Sequence, residues 1–199
     1  MKKSVILHGK KISELSPRHG REQCELWGVT RSNQRYWDGK LTDYTRWFDL
    51  HWIQARKSPT NHKWPGLKNR RPLTWEWYQQ QDPSRPIYLQ EVVPSIPASV
   101  RFPIEDVLAA FPGDLGVWTC QVDLMMAFAI MEGFEQIILN GIGVGDRASY
   151  QVLHRGIIHW IAVARCRGIE VIVEAPSVYA TSPLVYGYDF IGYDVKLRP

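Results

Sequence analysis

Between Thr119 and Ile142 the hydrophobic period changes from helical to extended, and this one segment restricts the chain to few architectures. From Val122 the apolar positions Val122, Met125, Met126, Ala129 and Ile130 recur at three- and four-residue steps, which predicts an α-helix with one buried stripe. Gly133 stops it. Phe134 leads into Ile137-Ile138-Leu139, a continuous apolar run of the kind that parallel strands carry when both faces are covered, and Asn140-Gly141 closes the strand. Helix, glycine, buried strand, glycine is the unit of a doubly wound α/β sheet. Ligands of such sheets sit at the carboxyl ends of the strands, so the loop Gly141-Ile142-Gly143-Val144-Gly145-Asp146 is the first candidate site.

The rest of the chain fits that unit. Lys3 to His8 is a short apolar strand that reaches Gly9, where the first turn of a nucleotide-binding unit would lie. Glu25 to Thr30 reads as a second strand, and Thr45 to His51 as a third that ends in Asp49 and His51. Residues 52–85 are irregular in texture, an insertion or lid with one short helix expected at Thr74 to Gln81. Pro86 to Leu89 resembles another strand. Pro94, Pro97 and Pro103 then hold the chain extended until a brief helix at Ile104 to Phe111. Tyr150 to Arg167 predicts a long amphipathic helix with Ile157, Ile158, Ile161, Ala162 and Ala164 as apolar contributors, capped by Gly168, and Glu170 to Val173 predicts the last strand. No internal repeat marks a second domain, so residues 1–199 read as one.

A chain of 199 residues can bury roughly 70% of its unfolded surface without help from cross-links. Cys24, Cys120 and Cys166 lie in no CxxC spacing and cannot all pair, which points to buried thiols in a reducing compartment. The apolar run Val5-Ile6-Leu7 is too short for a signal-peptide core, and no stretch approaches the ~20 apolar residues of a membrane span. A cytoplasmic protein with no membrane partner is the expectation. The net charge of +4 is unevenly spread: residues 1–72 hold 16 Lys and Arg against 6 Asp and Glu, and residues 73–199 hold 8 against 14. A basic front half attracts phosphate, whether of a nucleotide or a nucleic acid. Its densest cluster, Lys63 to Pro72, interleaves cations with Trp64; it is either a solvated loop or a footing for a nucleic-acid strand.

The helix–strand segment, followed by Tyr150, His154 and Gly168-Ile169, resembles the bacterial sialyltransferases that use CMP-sialic acid. The layout is also similar to a Rossmann-like family typified by 6-hydroxymethylpterin diphosphokinase and, most closely, to phage Rossmann-like proteins. For these the matching phrases are Trp47-Phe48-Asp49-Leu50-His51, Tyr88-Leu89-Gln90-Glu91 and Pro94-Ser95-Ile96-Pro97. The resemblance implies a Rossmann-like three-layer sandwich with a mostly parallel central sheet, and a nucleotide or nucleotide-sugar as ligand. Position by position, it implies a general base at His154, fifteen residues before Ile169, and a ligand-binding turn at Gly9, Lys10, Lys11 and Ser13. Further ligand-binding positions are Thr30 after the second strand and Gly141 and Gly143 after the central one, with Asp146 the nearest carboxylate. Three of these depart from the sialyltransferase pattern: Lys11 occupies the place of the turn's second glycine, Thr30 that of an asparagine, and Gly143 that of an aspartate. A lysine there would meet phosphate as a point charge instead of letting backbone approach it.

Each candidate has an ordinary role beside the functional one. Asp49 and His51 either face a ligand or satisfy backbone groups around their loop. His154 either takes a proton from an acceptor hydroxyl or packs on its helix. Asp146 either binds a ribose hydroxyl or caps the helix that begins near Ser149. Met125 and Met126 are most simply core. His154 and His159 are separated by about 500° of helix turn and share no face, so they do not form a zinc pair, and no motif calls for a metal or cofactor. Two functions stand open. One is a nucleotide-dependent, glycosyltransferase-like enzyme with His154, His51 and Asp49 at the sheet's carboxyl edge. The other is a catalytically inactive scaffold that binds nucleic acid, a host protein or a nucleotide signal. Fold alone does not choose between them.

Overall fold

A computed structural model describes residues 2–9, 24–29, 44–51, 75–112, 117–142, 151–174 and 179. Seven strands form one sheet: β1 (Ser4–His8), β2 (Cys24–Val29), β3 (Arg46–Phe48), β4 (Ile87–Leu89), β5 (Ser99–Arg101), β6 (Gln136–Asn140) and β7 (Glu170–Val173). Their order is β5-β4-β3-β2-β1-β6-β7, and every neighbouring pair is parallel. Four helices complete the described elements: α1 (Trp75–Gln79), α2 (Ile104–Ala110), α3 (Gln121–Met131) and α4 (Gln151–Cys166). The result is an α/β Rossmann-like sandwich.

Side-chain alternation distributes the strands between two cores. Val5 and Leu7 of β1, Trp27 of β2, Phe48 of β3, Ile137 and Leu139 of β6 and Val171 of β7 face α2, α3 and α4. Ile6, Leu26, Trp47, Ile87, Leu89 and Ile138 face the other way, against Tyr78 of α1 and the connection that carries Val93, Ile96 and Ala98. Both faces are therefore covered, which is why the strands carry unbroken apolar runs instead of alternation.

Four expectations need revision. The helix read as having one buried stripe is buried nearly all round: Asp123 and every residue from Met125 to Ile130 are shielded from water. It is wedged between the sheet, α2 and α4, and a helix so placed needs apolar residues on all sides. In α4 the buried stripe is Ile157, Trp160, Ile161 and Ala164, at i, i+3, i+4 and i+7, whereas Ile158 and Ala162 project outward. A strand, β5, forms where the prolines suggested only extended chain. The cysteines, expected to be buried, are unpaired thiols of which Cys24 and Cys120 are only half-buried and Cys166, in the last turn of α4, is exposed. Of the expected insertion, residues 52–74 lie outside the described residues, and α1 occupies the place of the predicted short helix. Among the described residues no helix is long and apolar enough to cross a membrane.

At the amino edge of the sheet Arg46 ties three elements together. Its Nε lies 2.7 Å from Glu25 Oε2, its Nη2 donates to Glu25 Oε1 at 3.0 Å, and its Nη1 lies 2.7 Å from Glu132 Oε2 at the end of α3. The guanidinium also lies over Trp27, 5.0 Å from the ring centroid. Arg46→Ala is expected to lose about 2 kcal/mol in urea unfolding, because it strands two partly desolvated glutamates and uncovers an indole. Arg46→Lys should recover only part of this, since an ammonium cannot serve both carboxylates through a planar fork.

Candidate functional site at the carboxyl edge of the sheet

Asp49 follows β3 directly, and its N–H continues the ladder to Tyr88 O at 3.0 Å. Its side chain is completely buried. Three donors converge on the carboxylate. The Tyr78 hydroxyl donates to Oδ2 at 2.5 Å, while Oδ1 receives the His51 backbone N–H at 3.4 Å and lies 2.9 Å from His51 Nδ1. A carboxylate so surrounded acts as acceptor, which places the imidazole proton on Nδ1 and leaves Nε2 as the basic nitrogen. The His51 side chain is 49% exposed, so an imidazole held from behind by a buried acid opens to solvent. This is the geometry that an orienter and a base share in acid–base sites.

The loop that carries His51 is held by α3. Gln121, the first residue of that helix, donates Nε2 to Phe48 O at 2.8 Å and accepts the Leu50 N–H on Oε1 at 3.0 Å. Gln90 adds a bond from Nε2 to Leu50 O at 3.0 Å. Both ends of one amide thus clasp the tip of β3, and the start of a buried helix fixes the position of the imidazole.

The chain runs outward from β1 through β2 to β5, then returns to place β6 on the other side of β1. The crevice above β1 and β6 is therefore the topological switch point, the usual ligand position of an open α/β sheet. Gly9 and Gly141 meet there. Gly9 N–H bonds to Asn140 O at 2.8 Å, and a Cβ at Gly9 would lie 2.6 Å from Gly141 O and 2.8 Å from Ile142 Cγ1. Gly141 has φ +62°, a conformation that favours glycine.

Next to these glycines the last positions of β1 and β6 and the residue after β7 are polar. His8 ends β1 opposite Asn140 of β6, and Asn140 Nδ2 donates to Glu174 Oε2, just beyond β7. His8 and Asn140 are both buried. Burial pushes the His8 imidazole down from its ordinary 6.5 to about 4. Between those values the unfolded chain binds the proton and the folded chain does not, so stability falls as pH drops from 6.5 towards 4. Urea unfolding at pH 7 and pH 4.5 should show that loss, and His8→Gln should flatten the dependence by on the order of 2–3 kcal/mol.

Asp123, also completely buried, has a different task. Its Oδ2 receives Thr119 N–H at 2.6 Å, Thr119 Oγ1–H at 2.8 Å and Cys120 N–H at 3.0 Å, which closes the first turn of α3. Gly156 of α4 lies so near that a Cβ there would stand 2.2 Å from this carboxylate. The group is a cap, with its pKa raised by burial. His154, in the first turn of α4, packs its ring 5.2 Å from Tyr179.

Of the candidates read from sequence, then, Asp49 and His51 are brought into contact, and Gly9 and Gly141 are brought into contact. His154 belongs to the β6–β7 side of the sheet and not to the β3 side where the acid–imidazole pair stands. Lys10, Lys11, Ser13, Thr30, Gly143 and Asp146, and the cluster Lys63 to Pro72, lie outside the described residues. Among the described residues no group of three or more His, Cys, Asp or Glu could hold a metal ion. Sequence reasoning missed Tyr78, Gln121, His8 and Glu174. The signal available for His8 was a polar residue ending an otherwise apolar strand.

No family model, no curated protein and no solved structure matches this chain.

Proposed function

We propose that the carboxyl edge of the sheet binds a nucleotide-activated donor, with a nucleotide-sugar as the class that fits best, and that His51 is the general base of group transfer to an acceptor hydroxyl. The observation that carries this reading is the buried Asp49 carboxylate holding a half-exposed imidazole at the tip of β3. His51 Nε2 takes the acceptor O–H proton and the acceptor oxygen attacks the anomeric carbon. The bond from that carbon to the phosphate oxygen breaks, and the nucleotide leaves with the electron pair.

Spacing supports a long ligand. Neighbouring strands lie ~4.8 Å apart, so the tip of β3 is roughly 10 Å from that of β1, and β6 and β7 extend the edge by roughly another 10 Å. A nucleotide lying over β1 and β6 therefore reaches His51 only through a further group such as a sugar. Lys10 and Lys11 follow Gly9 in sequence and are the charges proposed for its phosphate, with Thr30, Gly143 and Asp146 as further candidate ligands. His154 then stands on the nucleotide side and is not the base.

Thermal-shift titration tests this with CMP, UDP, GDP, NAD and cyclic nucleotides beside CMP-sialic acid, UDP-glucose and GDP-mannose. A bound probe at a hundredfold excess over its dissociation constant stabilises by ~2.7 kcal/mol. The expected result is that one nucleotide-sugar raises the melting temperature, more in the native chain than in His51→Ala, while its bare nucleotide stabilises both equally. If no nucleotide shifts the protein and single-stranded DNA does, the reading is overturned in favour of an inactive nucleic-acid-binding scaffold.

A further inference from the structure

We infer that Gly156 and Asp123 are positioning residues for His51: the close seat of α4 on the first turn of α3 fixes the helix start from which Gln121 holds the imidazole loop. The inference rests on the reading of His51 as a base and extends it to α4.

Gly156 stands inside the 16-residue helix α4, where glycine is unfavourable because it leaves the unfolded chain more backbone freedom to lose. Close approach explains its place. A Cβ at Gly156 would lie 2.2 Å from Asp123 Oδ2 and 2.3 Å from Thr119 Oγ1. Neither neighbour can retreat easily. That carboxylate oxygen already receives the Thr119 N–H at 2.6 Å, the Thr119 hydroxyl at 2.8 Å and the Cys120 N–H at 3.0 Å, and the Asp123 side chain is completely shielded. These bonds set the backbone of Thr119 and Cys120, and with it the direction in which α3 begins. Gln121 is the next residue. Its amide receives the Leu50 N–H at 3.0 Å and donates to Phe48 O at 2.8 Å, on either side of Asp49, and His51 follows Leu50 directly. A side chain on the first residue of a helix moves with that turn, so a small shift at Asp123 passes to an amide that must meet two backbone groups at once. The same turn thus serves as cap for its own helix, as seat for α4 and as mount for the clasp. Through these contiguous contacts α4 holds the base without touching it.

The test reads the loop in the full chain without any substrate. Amide hydrogen exchange reports the Leu50 N–H, and nitrogen NMR reports the His51 ring. Gly156→Ala and Asp123→Ala are each expected to speed Leu50 exchange by roughly five- to tenfold beyond what their loss of global stability explains, the effect of one hydrogen bond. Both should also mix the tautomers of His51. Asp123→Asn, which keeps an oxygen for the Thr119 and Cys120 donors, should retain native signals at both positions. Val171→Ala, which removes buried packing from β7, should lower stability and leave both signals unchanged. In a Gln121→Ala background, where the clasp is already gone, Gly156→Ala should add nothing at His51. Native signals at Leu50 and His51 in Gly156→Ala, or an effect of equal size with and without Gln121, overturn the inference. Should Gly156→Ala fail to fold, the Asp123 pair decides, and equal signals in Asp123→Ala and Asp123→Asn overturn it. Because no donor or acceptor enters, these outcomes are independent of transfer: a protein that binds no nucleotide-sugar overturns the general-base reading alone.

Discussion

Asp49→Ala is expected to lose about 3 kcal/mol of stability and to abolish any proton transfer that passes through His51. The carboxylate is wholly shielded and serves three donors at once, so truncation removes the acceptor of the Tyr78 hydroxyl, opens space beneath the loop and frees the imidazole from its fixed orientation. Asp49→Asn separates these effects. It keeps the volume, yet presents an N–H₂ group to His51 Nδ1 and so favours the tautomer with the proton on Nε2. That tautomer cannot accept a proton from an acceptor hydroxyl, and transfer should fall on the order of 10²–10⁴-fold with a much smaller change in stability. Nitrogen NMR of the His51 ring reports the tautomer without any substrate. Protonated Nδ1 in the native chain, shifting towards protonated Nε2 in Asp49→Asn, is the expected pattern; an unchanged tautomer would show that Asp49 does not orient the ring.

Gly9→Ala is expected to be the most damaging single-methyl addition at the crevice, at about 3 kcal/mol, because neither side can retreat. The added carbon would meet the backbone carbonyl of Gly141 at 2.6 Å, and the Gly9 N–H is itself anchored to Asn140 O. Separation of β1 from β6 at their tips would also spoil the proposed nucleotide seat, so stability and any nucleotide affinity should fall together. Gly133→Ala is the control. Gly133 has φ +73° with nothing within 4 Å of a built Cβ, so only the left-handed backbone penalty of about 1 kcal/mol applies and the crevice is untouched. Parallel urea titrations of the two variants check the ranking.

The parallel strands were legible because burial on both faces writes them as apolar runs: Val5-Ile6-Leu7 and Ile137-Ile138-Leu139 admit little else. β5 was not legible. Ser99-Val100-Arg101 is three residues on an edge, two of them polar, and its pairing depends on Ile87 to Leu89. The one-stripe reading of α3 failed for a related reason: residue spacing shows where apolar side chains recur, but not how many layers will close around them. Asp49 and His51 stood out through their place at the end of a strand. Their supports did not, since Tyr78 lies 29 residues away and Gln121 lies 71 from Leu50, separations at which an ordinary tyrosine and glutamine carry no mark. Whether His154 acts as a base is a matter of position: the strand order puts α4 with β6 and β7, which chain distance alone could not reveal.

Since α3 has no outward side, its turns are stabilised only by the sheet, α2 and α4 closing on it. Its leading residue is also the one that clasps the His51 loop, so whatever loosens the packing around this helix loosens the hold on the imidazole as well.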